Sequence, residues 1–226
     1  MEELPCLFTH NEFIIVADGT EAKVGTLTSN WEWFLPWKTI DGKTRAPASV
    51  PQLEVVLKGM CRKDVLLDVM KSFIGYRKSK KDTLKIIGGY HQYYAANLAV
   101  EKTYGAIKGN KKIGVVWHTQ GSGKSLTMAF YVGKITREPN MKNPSVVVLT
   151  DRNDLDDQLF NTFSDHSQIF RELPKKIETQ DELKKLLKTS SGGIFFTTIQ
   201  KFLENYGSKF ELLSERDNII VVADEA

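Results

Sequence analysis

The residues His118-Thr119-Gln120-Gly121-Ser122-Gly123-Lys124-Ser125 gather two glycines, an ammonium and several hydroxyls into eight positions. That set suits the binding of phosphate. Gly121 and Gly123 let the backbone turn its N–H groups inward with no Cβ in the way. Lys124 is placed to reach the β- and γ-phosphates of a nucleotide, and the Ser125 hydroxyl to ligate Mg2+. Thr119, Gln120, Gly121, Ser122, Gly123, Lys124 and Ser125 are therefore the candidate nucleotide-binding residues of the loop. Such a loop works between a strand and a helix. Upstream, Ile113-Gly114-Val115-Val116-Trp117 is a short, mostly apolar run expected to form a buried parallel strand. Downstream, Leu126, Ala129, Phe130 and Ile135 recur at helical spacing, and the N-terminus of that helix adds a partial positive charge. The common phosphate-loop pattern has glycine where His118 stands. A non-glycine there requires only that the turn be entered with negative φ.

Two further groups belong with the loop. Gln92, at the start of a helix expected from Tyr90 to about Lys108, can donate and accept at once and so match the N6/N7 edge of adenine. Ile219-Ile220-Val221-Val222-Ala223 reads as a buried strand delivering Asp224 and Glu225 at its carboxyl end. In nucleotide-hydrolysing proteins with this loop, the first such acid holds Mg2+, usually through water, and the second polarises the attacking water. Lys124, Asp224 and Glu225 are thus the candidate catalytic residues, with Ser125 and Asp224 as the Mg2+ ligands.

Between these groups lie two more buried strands. Ser145–Thr150 ends in Thr150-Asp151-Arg152, and Gly192–Gln200 ends in Thr197, Thr198 and Gln200. Ligands bind at the carboxyl ends of strands in open parallel sheets. Hydroxyls, amides and a guanidinium there suit phosphate contacts along a nucleic acid, so Thr150, Asp151, Arg152, Thr197, Thr198 and Gln200 are the candidate DNA-contacting residues. A helix is expected to start near Asp154, with acids in its first turn where the dipole favours them, and another over Asp181–Lys188.

The N-terminal part reads differently. Phe13–Ala17 and Ala22–Leu27 flank Asp18-Gly19, the signature of a hairpin. Trp31, Trp33 and Trp37 sit close together and are expected to pack a small core or cover a sheet edge. Asp18, Glu21 and Lys23 imitate the acid-plus-lysine set of Mg2+-dependent nucleases. They fall within one six-residue turn rather than converging from separate strands, so they read as surface charges. From Pro51 to Tyr76 the apolar spacing is helical, broken at Gly59, and Arg77–Asp82 reads as an exposed basic linker.

Composition sets few limits. The chain has 226 residues, 41% hydrophobic and 26% charged, with a net charge of +3, ordinary for a globular protein and too weakly basic to imply nucleic acid by itself. Cys6 and Cys61 are far apart and lack metal-ligand spacing, which fits reduced thiols in a cytoplasmic setting. Ending three residues after a core strand, the chain reads as a partial one.

Taken together, the strings resemble the restriction (motor) subunit of type I restriction–modification enzymes, of helicase superfamily 2. Tyr90-His91-Gln92-Tyr93 resembles that family's adenine-recognising motif. Val116–Ser125 is very similar to its motif I, including the histidine in place of glycine. Leu149–Gln158 resembles motif Ia, Phe196–Phe202 resembles motif Ib, and Asp224-Glu225-Ala226 resembles motif II. Val24–Thr28 and Phe34–Thr39 are similar to the segment following the family's nuclease core, whose acids and lysine would then precede Met1. The resemblance implies an α/β fold: a RecA-like phosphate-loop NTPase domain with a mainly parallel sheet over residues 88–226. Residues 1–57 would be an α+β remnant of a nuclease domain and residues 58–87 a helical and basic linker. It implies ATP and Mg2+ as cofactors, and double-stranded DNA plus methylation and specificity subunits as partners. The parent activity would be ATP-driven DNA translocation coupled to cleavage. Without the second motor domain and its arginine, worth ~10³–10⁵ in rate in related NTPases, this chain is expected to bind ATP but turn it over poorly. Two alternatives remain: another superfamily 2 helicase, and a non-catalytic nucleotide-binding or docking fragment.

Overall fold

The computed structural model describes residues 8, 10–78, 83–151, 153–189, 191–202 and 212–224. The elements run β1 (Ile14–Ala17), β2 (Ala22–Gly25), α1 (Gln52–Val55), α2 (Lys63–Ser72), β3 (Ile74–Lys78), β4 (Thr83–Ile87), α3 (Tyr90–Lys108) and α4 (Lys124–Ile135). They continue β5 (Ser145–Thr150), α5 (Asn153–Asp165), β6 (Pro174–Lys176), α6 (Gln180–Leu187), β7 (Ile194–Thr198) and β8 (Ile219–Ala223). Two compact units result: Met1–Leu98 with His118–Thr127, and Ala99–Trp117 with Met128–Ala226. The boundaries expected after residues 57 and 87 both fall inside the first unit. No helix among the described residues is long and apolar enough to cross a membrane.

In the first unit, β1 and β2 form the expected hairpin, with Ile14 opposite Gly25 and Ala17 opposite Ala22. Its turn is closed by Asp18, whose Oδ1 accepts from the N–H groups of Thr20 (2.8 Å) and Glu21 (2.7 Å). These bonds hold the Asp18 carboxyl below its usual range. Glu21 and Lys23 lie near each other at the surface, which agrees with reading this trio as a turn and not a nuclease site.

The three tryptophans divide. Trp37 is buried at 3% exposure, while Trp31 and Trp33 are each 60% exposed. Trp37 packs its ring 5.6 Å from Tyr93 and 5.7 Å from Tyr94, and Phe73 lies 4.9 Å from Tyr93. Such pairs add roughly 0.5–1.5 kcal/mol each beyond area burial. The cluster pins the first turns of α3, and with them Gln92.

The segment expected as helix then basic linker is part sheet. β3 and β4 pair antiparallel, Ile74 opposite Ile87 and Arg77 opposite Leu84. The apolar residues flanking the charged run supply the strand pattern. Residues 79–82 of the run lie outside the described residues, as does Cys6. Cys61 is a free thiol whose pKa burial raises.

In the second unit, four strands form a wholly parallel sheet in the order β6-β7-β5-β8. The mainly parallel sheet expected from the sequence is present. Central strands buried on both faces need apolar residues at every position, which Val146-Val147-Val148 and Ile194-Phe195-Phe196 provide. Val146, Val148 and Phe196 are fully buried on one face, where Phe163 of α5 meets Phe196 at 5.0 Å. Val147 and Phe195 face the other way and pack with Ile177, Leu183 and Leu187 around α6. Full burial of each such side chain is worth ~1.5–3 kcal/mol. Helix α6 is capped by Thr179, whose hydroxyl accepts from the Glu182 N–H at 3.2 Å. The amino ends of the strands are tied by Arg216. Its Nη1 donates to Ser145 Oγ (3.0 Å) and the Thr189 carbonyl (2.8 Å), and its Nε to Asn218 Oδ1 (3.0 Å).

The sheet lacks one expected member. Ile113–Trp117 forms no strand, and pairs with none among the described residues. Val115 is 94% and Trp117 91% exposed, against the burial expected of them. Lys111 at φ +61° and Gly114 at φ +145° turn the chain out of an extended path. Apolar character selects a strand when a sheet edge receives it, and periodicity by itself cannot supply the edge.

Candidate nucleotide-binding site

The phosphate loop belongs to the first unit. Gly121 and Gly123 adopt φ +78° and +79°, the left-handed region that side chains disfavour. This is the conformation the sequence requires of them. His118 is absent from the positive-φ residues, so the loop accepts histidine where glycine is usual, as expected. The Ser122 N–H donates to the Thr119 carbonyl at 3.2 Å, closing a turn, and the Thr127 N–H donates to the Gly123 carbonyl at 3.0 Å, starting α4. Lys124 opens that helix and is exposed; Ser125 follows it, half-buried. Free N–H groups at a helix start, two left-handed glycines and an unobstructed ammonium fit a polyphosphate.

The first turn of α3 holds the loop from behind. Gln92, 5% exposed, accepts from the Gly89 N–H at 2.9 Å and donates from Nε2 to the Gly123 carbonyl at 3.2 Å. A carboxamide has two N–H groups and two lone pairs on oxygen, so one of each remains for a base. Beside it, His91 Nε2 lies 3.0 Å from the Ser122 carbonyl oxygen. His91 stands in the string Tyr90-His91-Gln92-Tyr93 without a role of its own in the sequence. Nothing in spacing distinguishes it, because its partner is a backbone carbonyl 31 residues away. Its ring meets that of His118 edge-on at 5.4 Å. Burial, then His91, then Lys124 lower the His118 pKa, favouring the neutral imidazole. His118 Nδ1 and Ser122 Oγ are buried and have no hydrogen-bond partner among the described residues.

The acidic strand end belongs to the second unit. Asp224 follows β8 and donates its N–H to the Leu149 carbonyl at 2.9 Å. Glu225 lies outside the described residues. The parallel register brings Thr150 opposite Thr198 and Leu149 opposite Ala223, so the ends of motifs taken from three parts of the sequence share one edge. Thr150, Thr197 and Thr198 are buried within the sheet rather than presented to a nucleic acid, because both faces of these strands are covered. At this edge Asp151 and Gln200 are exposed polar residues, beside the exposed Ile199 and Ala223. Gln200 Nε2 donates to the Asp151 carbonyl and, at 3.2 Å, to its carboxylate. Arg152 lies outside the described residues.

A glycine loop leading into a helix, and a parallel sheet with an acid at a strand end, are each features of phosphate-loop ATPases. The family model for the SWI2/SNF2 ATPase matches residues 91–226, from His91 in the first turn of α3 to the last residue. The chain belongs to the SWI2/SNF2 ATPase family. Among curated proteins, this SWI2/SNF2 ATPase chain is similar along its whole length to two type I restriction subunits. It is 45% identical to the type I restriction enzyme HindI endonuclease subunit of Haemophilus influenzae, covering 100% of this chain and 22% of that protein. It is 36% identical to the putative type I restriction enzyme MjaIXP endonuclease subunit of Methanocaldococcus jannaschii, covering 100% of this chain and 23% of that protein. A third relative, the type I restriction enzyme SsaAORF53P endonuclease subunit of Staphylococcus saprophyticus, is 34% identical over 50% of this chain. The chain therefore spans about a fifth of the length of the first two. The four-stranded parallel sheet is consistent with a RecA-like ATPase domain within the SWI2/SNF2 family.

Proposed function

We propose that this chain is the ATP-binding first motor domain of a type I restriction endonuclease subunit. In this reading the parent protein translocates double-stranded DNA with ATP hydrolysis and cleaves it away from the recognition site, working with methylation and specificity subunits in the cytoplasm. Residues 1–57 correspond to the end of a nuclease domain. The single observation that carries the reading is the phosphate loop: Gly121 and Gly123 in the left-handed region, Lys124 opening a helix, and Gln92 bonded to the Gly123 carbonyl. The similarity to type I restriction endonuclease subunits over the whole chain supports it.

The roles follow from the chemistry of each group. Lys124 neutralises the β- and γ-phosphates, and the N–H groups of the loop from Thr119 to Ser125, apart from that of Ser122, which bonds the Thr119 carbonyl, donate to their oxygens. Ser125 and, through water, Asp224 would hold Mg2+, which would offset charge on the phosphate oxygens, and Glu225 would orient the attacking water. Gln92 uses its remaining N–H and lone pair on the adenine edge. Asp151, Arg152 and Gln200 meet the DNA backbone, with Thr150, Thr197 and Thr198 supporting them from within the sheet.

The experiment is a titration of ATP with Mg2+ into this chain and its Lys124→Ala variant, after circular dichroism shows both folded. Binding that the variant loses is the expected result. A folded wild type that binds no ATP would sink the reading.

A further inference from the structure

A phosphate loop binds anions only if its N–H groups face the ligand and its carbonyls face away. In this chain the carbonyls of two successive loop residues, Ser122 and Gly123, are each taken by a side chain from two successive residues of α3, His91 and Gln92. We infer that His91 is a positioning residue for nucleotide binding. It acts through the Ser122 carbonyl, and the inference rests on the proposed ATP-binding reading.

The chemistry fixes which atom does this. A carbonyl oxygen only accepts, so His91 Nε2 carries the proton and donates to it across 3.0 Å. The bond turns the Ser122 carbonyl toward α3, and in a trans peptide the N–H of the same unit, that of Gly123, then points the opposite way. Gln92 does the same for Gly123, where the Thr127 N–H also donates. The Ser122 carbonyl has no second donor from α4 among the described bonds, so His91 is its holder. The imidazole is itself located by its neighbours. Tyr90 meets it edge-on at 5.6 Å, and His118, standing at the loop's first position, at 5.4 Å. Glycine at position 118 would leave that side of the ring open. The histidine there thus belongs to the same device: it is half of the wall that keeps Nε2 on its target.

The test titrates Mg·ATP and Mg·tripolyphosphate into the wild-type chain and into His91→Gln, His91→Phe and Lys124→Ala variants, each checked for fold by circular dichroism and thermal melting. Glutamine keeps a donor at the reach of the histidine Nε2 and discards the ring. Phenylalanine keeps the ring between Tyr90 and His118 and discards the donor. The expected result is that His91→Gln stays within about twofold of wild type while His91→Phe weakens both ligands by about fivefold to tenfold, the worth of one neutral hydrogen bond. Equal loss for ATP and tripolyphosphate assigns the effect to the phosphate cradle. Wild-type affinity in His91→Phe overturns the inference. So does a loss in His91→Gln as large as in His91→Phe, which assigns the effect to ring packing, or a loss confined to ATP, which places His91 at the base. If the underlying reading fails instead, the wild type binds neither ligand and Lys124→Ala matches it.

Discussion

Gln92 and Gly123 are matched in two ways: the Gln92 Nε2 donates to the Gly123 carbonyl at 3.2 Å, and a Cβ on Gly123 would stand 2.7 Å from that same nitrogen. The glycine is required both by its backbone angle and by the side chain packed over it. Gly121 shares the angle but has open space where a Cβ would go. Gly121→Ala should therefore cost ~1–2 kcal/mol of stability from the left-handed backbone alone. Gly123→Ala should cost more than that, and should also lower ATP affinity by displacing Gln92. Chemical denaturation of the two variants side by side, followed by ATP titration, checks the order.

Gly133, in the middle of α4, lets that helix approach the turn at Ser167–Ile169. A Cβ there would lie 2.8 Å from the Ile169 carbonyl oxygen, and backbone cannot step aside as a side chain can. Although alanine is the better helix former, Gly133→Ala should destabilise the chain by ~1–3 kcal/mol through overpacking. A lower thermal midpoint is the expected outcome; a raised one would mean that helix propensity outweighs the clash.

The His118 environment gives a pH dependence of defined sign. Folding lowers its pKa, so below the ordinary value near 6.5 the unfolded chain binds more protons than the folded one. The associated stability is complete above pH 6.5 and is lost as pH falls through the folded value. Urea unfolding at pH 7.5 and pH 5.5 should show a larger loss for the wild type than for His118→Asn, which lacks the titrating group. Equal losses would mean that His118 titrates in the folded chain as it does in the unfolded one.

The four tryptophans should separate in solution. Trp117 is 91% exposed and Trp37 is buried, so iodide should quench Trp117 strongly and Trp37 little. Trp117→Phe should remove a large quenchable fraction, and Trp37→Phe should leave that fraction intact. A Trp117 emission that is blue-shifted and protected would place Ile113–Trp117 in the sheet after all.

The parts of the fold that the sequence made legible are those specified locally. Val146–Val148, Phe195-Phe196 and Ile219-Ile220 are apolar at consecutive positions, and only a strand covered on both faces has use for that. Gly121 and Gly123 were legible because few arrangements need two glycines one residue apart before a lysine. What was missed depends on distant partners. Ile113–Trp117 carries a strand's composition, yet its backbone is turned out at Lys111 and Gly114. β3 was masked by the helical spacing that runs into it and by the charges after it, and only pairing with β4 decides its state. Thr150, Thr197 and Thr198 looked like contact residues because they end strands; their burial follows from α5 and α6 covering the two faces, which no strand-end motif encodes. The His91 contact with the loop was invisible in the sequence, since a side chain bonded to a backbone carbonyl leaves no pattern in residue types.

The two rims of the second unit's sheet differ in how they are fastened. Arg216 ties Ser145, Thr189 and Asn218 across the amino rim, while on the carboxyl rim Gln200 and Asp151 are joined by side-chain bonds at the surface. The consequence is mechanical. Among the described residues, one guanidinium holds groups from separate segments at the amino rim, so loosening that rim means breaking several bonds at once.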